Sequence, residues 1–247
     1  MAKEKSNLIF GRHPVTEALQ SGKPFDKVFL QQGIRGPLEK ELRMLCKTHR
    51  VPLKVIPKER LDRLAGGNHQ GVAGYVALVH YQQLEDVLPF LFEQEDFPLI
   101  VLLDGVTDVR NFGSIARSAE CCGVGTLVIP RKGSAQVNAE AVKSSAGALL
   151  RIPICRESSI VAAVEMLQLS GVSVYASDLK ADGPIMDMDF TGPVALVLGA
   201  EGDGVSEAVL RKVDKRFVIP QRGETDSFNV SVAAGIMLYE VLRQRGE

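Results

Sequence analysis

Between Leu99 and Arg243, short apolar runs alternate with stretches patterned for helices. The runs fall at residues 99–103, 126–129, 152–155, 172–176, 194–198 and 217–219. Between and after them lie helical patterns at 111–122, 138–149, 160–169, 205–212 and 229–243. Strands that are apolar without interruption are buried on both faces, as parallel strands are. Their alternation with helices predicts an α/β domain with a mostly parallel sheet and right-handed crossovers. Such sheets bind ligands at the carboxyl ends of their strands.

The first 80 residues alternate on a smaller scale, with strands expected at 8–10, 28–30, 53–56 and 72–79. The helices between them are one opened by Pro14, one faced by Leu38, Leu42, Leu45 and Cys46, and one over 58–64. This predicts a small α/β domain of its own. Charge separates the same halves. Residues 1–80 hold 14 basic and 7 acidic side chains and all four histidines, whereas residues 81–247 hold 15 and 23. A basic module beside an acidic one predicts contact between the first and a polyanion. Residues 81–97 contain Glu85, Asp86, Glu93, Glu95 and Asp96 and no basic residue, and read as an acidic linker. Leu84, Val87, Leu88 and Leu91 give part of it the spacing of a short amphipathic helix.

No apolar run approaches the roughly 20 residues that span a bilayer. The start, MAKEKSNLIFGRHP, has no long apolar core and no small-residue cleavage site, so no secretory leader is expected. Cys46, Cys121, Cys122 and Cys155 lack the paired spacing of metal or redox motifs. A reduced, cytoplasmic protein without a metal site follows as the expectation.

In the second half, polar and glycine-rich residues collect at three strand ends. The first segment is 104–119, where a strand ends at Asp104 and a helix opens near Asn111. Asn111 suits an N-cap, which leaves Arg117 unexplained on a helix otherwise lined with small residues. The second is Leu196-Val-Leu-Gly-Ala-Glu-Gly-Asp-Gly-Val-Ser206. Its glycines permit a tight turn and close ligand approach, but in neither the dinucleotide-binding nor the P-loop order. Glu201 within it can accept donors from a ligand or hold an arginine. The third, 218–235, runs from a strand through a polar loop to a helix beginning at Ser227 or Asn229. Beyond Asn229 that helix is apolar nearly all round, which predicts burial on more than one side and a subunit interface as the second partner.

Together, Asn111-Phe-Gly-Ser-Ile-Ala-Arg117, Leu198-Gly-Ala-Glu-Gly202 and Ser227-Phe-Asn-Val-Ser-Val232 resemble the three motifs of the SpoU/TrmH family of RNA ribose 2′-O-methyltransferases, of the knotted SPOUT class. At the amino end, Gly11-Arg-His-Pro-Val15 with Glu17-Ala-Leu19, and His69-Gln-Gly71, resemble the small L30e-like substrate-binding domain of one subgroup. That subgroup methylates a guanosine of large-subunit (23S) rRNA. Phe228 stands where the family usually has leucine, which keeps the apolar character and enlarges the side chain.

The resemblance implies a trefoil-knotted methyltransferase domain over 98–247, an L30e-like domain over 1–80 and a homodimer. It implies S-adenosylmethionine as cofactor, held at Leu198, Gly199, Ala200, Ile219, Pro220 and Phe228. It makes Arg117 the residue nearest the role of general base. An arginine is essentially always charged, so a donor that orients RNA phosphate and stabilises a developing alkoxide fits its chemistry better. Asn111 and Glu201 are expected to hold Arg117 and the adjacent loops, and Ser227 and Asn229 to position the ribose. Arg12, His13, His69 and Gln70 are the expected RNA contacts. The same chemistry on tRNA and a non-catalytic RNA-binding assembly factor are the competing readings. A nucleotide-binding oxidoreductase lacks its dinucleotide fingerprint here.

Overall fold

A computed structural model describes residues 7–181 and 183–246, which fall into two compact units divided between His80 and Tyr81. Residues 1–6, part of the segment read for a leader, lie outside the described residues. Among the described residues no helix is long and apolar enough to cross a membrane.

The first unit runs β1 (Leu8–Phe10), α1 (Arg12–Gln20), β2 (Phe25–Gln31), α2 (Pro37–Thr48), β3 (Leu53–Ile56), α3 (Lys58–Ala65) and β4 (Val72–Val76). Its sheet has the order β1-β4-β2-β3, with β4 antiparallel to both neighbours and β2 parallel to β3. Side chains alternate across β2. Val28 and Leu30 pack with Val15, Leu19, Leu42 and Leu45 of α1 and α2. Phe29 faces the other way, against Leu61 and Ala65 of α3. Pro14 does not open α1, which begins at Arg12 after Gly11, whose φ is 101°. Pro14 still falls in the first turn, where a missing N–H costs no helical bond.

The second unit runs α4 (Leu84–Gln94), β5 (Leu99–Asp104), α5 (Val109–Cys121), β6 (Thr126–Pro130), α6 (Ala139–Ser144), β7 (Ile154–Glu157), α7 (Ile160–Leu169), β8 (Ser173–Ser177), β9 (Val194–Gly199), α8 (Glu207–Leu210), β10 (Lys215–Phe217) and α9 (Val230–Arg245). All its strands are parallel, in the order β10-β8-β9-β5-β6-β7. From β5 the chain moves outward through β6 and β7. It then crosses to the far side for β8, and returns with β9 beside β5. The order therefore switches direction between β5 and β9, the place where open α/β sheets bind ligands.

Residues 81–97 are not a linker. Leu84, Val87 and Leu88 of α4 lie in one core with Ile100, Leu102, Val164, Leu167 and Val197. Burying side chains of this size contributes about 1.5–3 kcal/mol each, enough to hold a three-turn helix on the sheet. Gln82 forms a parallel bridge with Cys155, and the Leu84 N–H donates to Glu157 Oε1 at 2.7 Å. The helix expected over 138–149 also differs. It stops at Ser144, and a 3-10 turn follows at Ala148–Leu150. Ala146 (φ 50°) and Gly147 (φ 84°) both turn left-handed after the helix, and the Gly147 N–H donates to Val142 O at 3.0 Å, which closes α6.

Candidate active site

Local chemistry shapes each of the three strand-end segments. β9 leads into a tight loop in which Ala200 and Gly204 exchange backbone hydrogen bonds of 3.0 and 2.9 Å. A Cβ on Gly199 would lie 2.0 Å from the Gly204 carbonyl carbon, so only glycine fits there. The loop projects Glu201. Asp104, opposite Gly199 in the β5–β9 register, accepts from the Ser206 N–H at 2.8 Å and ties the start of α8 to β5. Pairing of β8 with β9 ends at Ala176–Val197, while pairing of β5 with β9 continues to Asp104–Gly199. On the β8 side, β9 thus extends two residues beyond the last paired position.

Asn111 is not the cap of α5. Asp108 takes that role, accepting from the N–H groups of Arg110 and Asn111 at 3.0 and 2.8 Å. The Asn111 side chain is thereby free to donate through Nδ2 to Glu201 Oε2 at 3.1 Å. Asn229 does cap its helix: its Oδ1 accepts from the Ser231 N–H at 3.0 Å and from Ser231 Oγ at 2.6 Å. That acceptor role fixes the amide the other way round for its donor. Asn229 Nδ2 points to Asn111 Oδ1 at 3.1 Å and Glu201 Oε1 at 3.4 Å. Asn111, Asn229 and Glu201 thus form one closed clasp across all three segments.

Beside the clasp lies a cleft of about 430 Å³, within the range of small-molecule sites. Leu198, Gly199, Ala200, Ile219 and Phe228 line it, with Glu201 and Ser227. Pro220, Asn111, Asn229 and Arg117 are not among its lining residues. Sequence reasoning missed Ser177, Asp178 and Arg216, which also line it. Asp178 Oδ2 meets Arg216 Nη1 at 3.3 Å, and its Oδ1 accepts from the Lys180 N–H at 3.0 Å. Asp178 follows the 172–176 run, so its place at a strand end was the available signal.

Arg117 is exposed on α5 and makes no hydrogen bond or ion pair among the described residues. The expectation that Asn111 and Glu201 hold it is corrected: those side chains hold each other. In the first unit, the Arg12 N–H donates to Gln70 Oε1 at 3.1 Å, joining the two amino-terminal motifs across 58 positions of sequence. Arg12, His13 and Gln70 are exposed. His69 is buried, with Nδ1 accepting from the Gly71 N–H at 2.9 Å and Nε2 at 2.6 Å from Asp62 Oδ1. An accepting Nδ1 leaves the proton on Nε2, donated to Asp62. With both nitrogens engaged, His69 shapes the loop, and its expected place among the RNA contacts is corrected.

Residues 98–239 match the SpoU rRNA Methylase family, and residues 8–82 match a family described as RNA 2′-O ribose methyltransferase substrate binding. A Staphylococcus haemolyticus protein whose name places it in the TrmH family of tRNA/rRNA methyltransferases is 34% identical over 238 residues, 96% of each chain. The crystal structure of the SpoU methyltransferase AviRb from Streptomyces viridochromogenes is 30% identical with a TM-score of 0.60, covering 97% of this chain and 89% of that one. AviRb has also been solved in complex with the cofactor AdoMet. The A. aeolicus TrmH/SpoU tRNA modifying enzyme is 33% identical with a TM-score of 0.57, over 66% of this chain and 84% of its own.

Proposed function

The chain belongs to the SpoU/TrmH family of RNA methyltransferases, and from that premise we propose that it methylates the 2′-hydroxyl of one ribose, that of a guanosine in large-subunit (23S) rRNA, from S-adenosylmethionine. The observation that carries this reading is the meeting of three strand-end segments around one cleft, with the Asn111–Asn229–Glu201 clasp beside it.

The cleft's residues suit that cofactor. Leu198, Ile219 and Phe228 offer apolar wall for an adenine ring, while Asp178 and Glu201 place carboxylates where a cation is welcome. Backbone approach at Leu198, Gly199 and Ala200 is open because β9 outruns β8. Pro220 follows Ile219 and fixes the wall from the next loop. When bound, S-adenosylmethionine supplies a methyl group on a positively charged sulfur, an electrophile that needs no metal. Arg117, charged and unpaired, orients the RNA phosphate and stabilises charge growing on the ribose oxygen. Ser227 at the cleft and Asn229 in the clasp set the ribose. Holding reacting atoms at about 3–3.5 Å saves roughly 7–11 kcal/mol of the barrier.

Arg12 and His13 at the start of α1, with Gln70 in the loop that His69 shapes, give the basic first unit its RNA contact. Exposed Val232 and Tyr239 on α9, whose opposite face is buried, suit a homodimer. The trefoil knot and a cytoplasmic setting belong to the same reading.

Labelled S-adenosylmethionine offered with protein-free large-subunit rRNA, small-subunit rRNA and tRNA tests it. Label in the large-subunit RNA alone is expected. Label in tRNA alone would move the target. Absence of both label and calorimetric cofactor binding would leave an RNA-binding assembly factor.

A further inference from the structure

We infer that the second unit carries its own track for RNA phosphates, formed by Arg117, Arg131, Lys132 and Lys143; the inference rests on the RNA substrate proposed above. The second half of the chain is acidic, yet its residues 105–156 hold seven basic side chains against three acidic ones. Residues 81–104 and 157–247 together hold eight against twenty. All three acids of the basic stretch are engaged. Asp108 caps α5, Glu140 meets Arg110 at 2.9 Å, and Glu120 meets Arg151 at 2.8 Å. Arg156 stacks over Tyr81 at 3.9 Å. The charged groups of Arg117, Arg131, Lys132 and Lys143 are left with no hydrogen bond or ion pair among the described residues.

These four cations are placed together by the fold. Arg131 and Lys132 follow β6 at its carboxyl end, on the sheet edge that also carries Asp104 and Glu201. β6 lies two strand spacings from β9, roughly 10 Å along that edge. The Ala135 N–H donates to Val106 O at 2.8 Å, tying the loop after Lys132 to the loop that leads into α5. Lys143 precedes Ser144, whose Cβ would lie 2.6 Å from a Cβ on Gly113. α6 therefore crosses α5 in close contact one turn before Arg117.

Arg131 adds a further sign. Its Nε is buried without a hydrogen-bond partner, so nothing polar holds the guanidinium in its resting pose. A swing outward to a phosphate would give that donor an acceptor and permit two parallel bonds. Unpaired cations of one sign on an otherwise acidic unit suit a polyanion. Contacts of this kind fix register on the strand and leave base choice to other groups. Their part here is to hold the RNA flanking the target ribose.

The test uses the full chain and protein-free large-subunit rRNA, with affinity measured against salt concentration. Lys132→Gln with Lys143→Gln should flatten the slope of log K against log salt by about 1.4–1.8, two phosphate contacts' worth. Affinity at low salt should fall at least tenfold, and the paired Glu substitutions should lower it further. Arg131→Gln should flatten the slope by roughly one contact. S-adenosylmethionine affinity should stay unchanged in each, which controls for folding. Lys215→Gln, on the opposite edge strand β10, is the charge control and should alter neither quantity. An unchanged slope in the double variant, or an equal loss from Lys215→Gln, overturns the track even if methyl transfer proceeds. Wild-type protein that binds with the steeper slope but transfers no methyl keeps the track and overturns the reaction. Wild-type protein that binds no RNA overturns both.

Discussion

Two side chains test the proposed division between catalysis and scaffolding. Arg117 is exposed and unpaired, so its removal breaks no hydrogen bond or ion pair among the described residues. Arg117→Ala should lower turnover by orders of magnitude while S-adenosylmethionine affinity and melting temperature hold, a split read by single-turnover kinetics and calorimetry. Near-normal turnover on intact RNA would remove Arg117 from the mechanism. Asn229 serves both purposes, as cap of α9 and as the donor that closes the clasp. Losing a cap costs about 1 kcal/mol, which in a chain of this size lowers the melting temperature by roughly 2–4 °C. Asn229→Ala should show that loss together with reduced turnover. Asn229→Asp keeps the cap and sets a second carboxylate against Glu201, so it should retain more stability and still lose turnover. The sequence displayed these residues but not their pairing. Asn111 looked like a cap because asparagine suits that position, and Asp108, three residues earlier, was the better acceptor for the first free N–H groups.

At the scale of elements, strand positions were legible because buried parallel strands are apolar without a break. Helix ends were less so. The 138–149 pattern continues in sequence past Ser144, but the left-handed stop at Ala146 and Gly147 ends α6 early. Acidity and an internal proline, Pro89, disguised α4, although its apolar stripe was visible; what sequence could not show was that the stripe joins the β-sheet core. The cleft illustrates the same limit. Leu198 to Ala200 and Phe228 were identifiable from motifs, whereas Asp178 and Arg216 enter through the sheet order, which no local pattern encodes. The two units have separate cores. Deleting residues 1–80 should therefore spare calorimetric S-adenosylmethionine binding and abolish preference among RNAs. Equal activity of the shortened and full chains on the same RNA would contradict that division.

Across the whole molecule, a net charge of −1 conceals the opposed halves and the basic stretch inside the acidic one. Burial also sets a pH limit. Desolvation pushes the Cys46 and Cys155 thiols from 9.0 to about 12. Well below pH 9 both thiols are protonated, folded or unfolded, and they add no pH dependence. Between pH 9 and about 12 the unfolded chain releases protons that the native chain keeps, so stability should fall as pH rises. Denaturant melts across that range check the slope. Native-state thiol labelling should reach exposed Cys121 first and spare Cys46 and Cys155 until unfolding. The central claim concerns one oxygen atom, and alkaline hydrolysis of the labelled RNA product tests it most directly. A methyl on the ribose 2′-oxygen blocks attack on the neighbouring phosphate, so the label should emerge in an alkali-resistant dinucleotide. Label released in mononucleotides would place the methyl on a base and contradict the account.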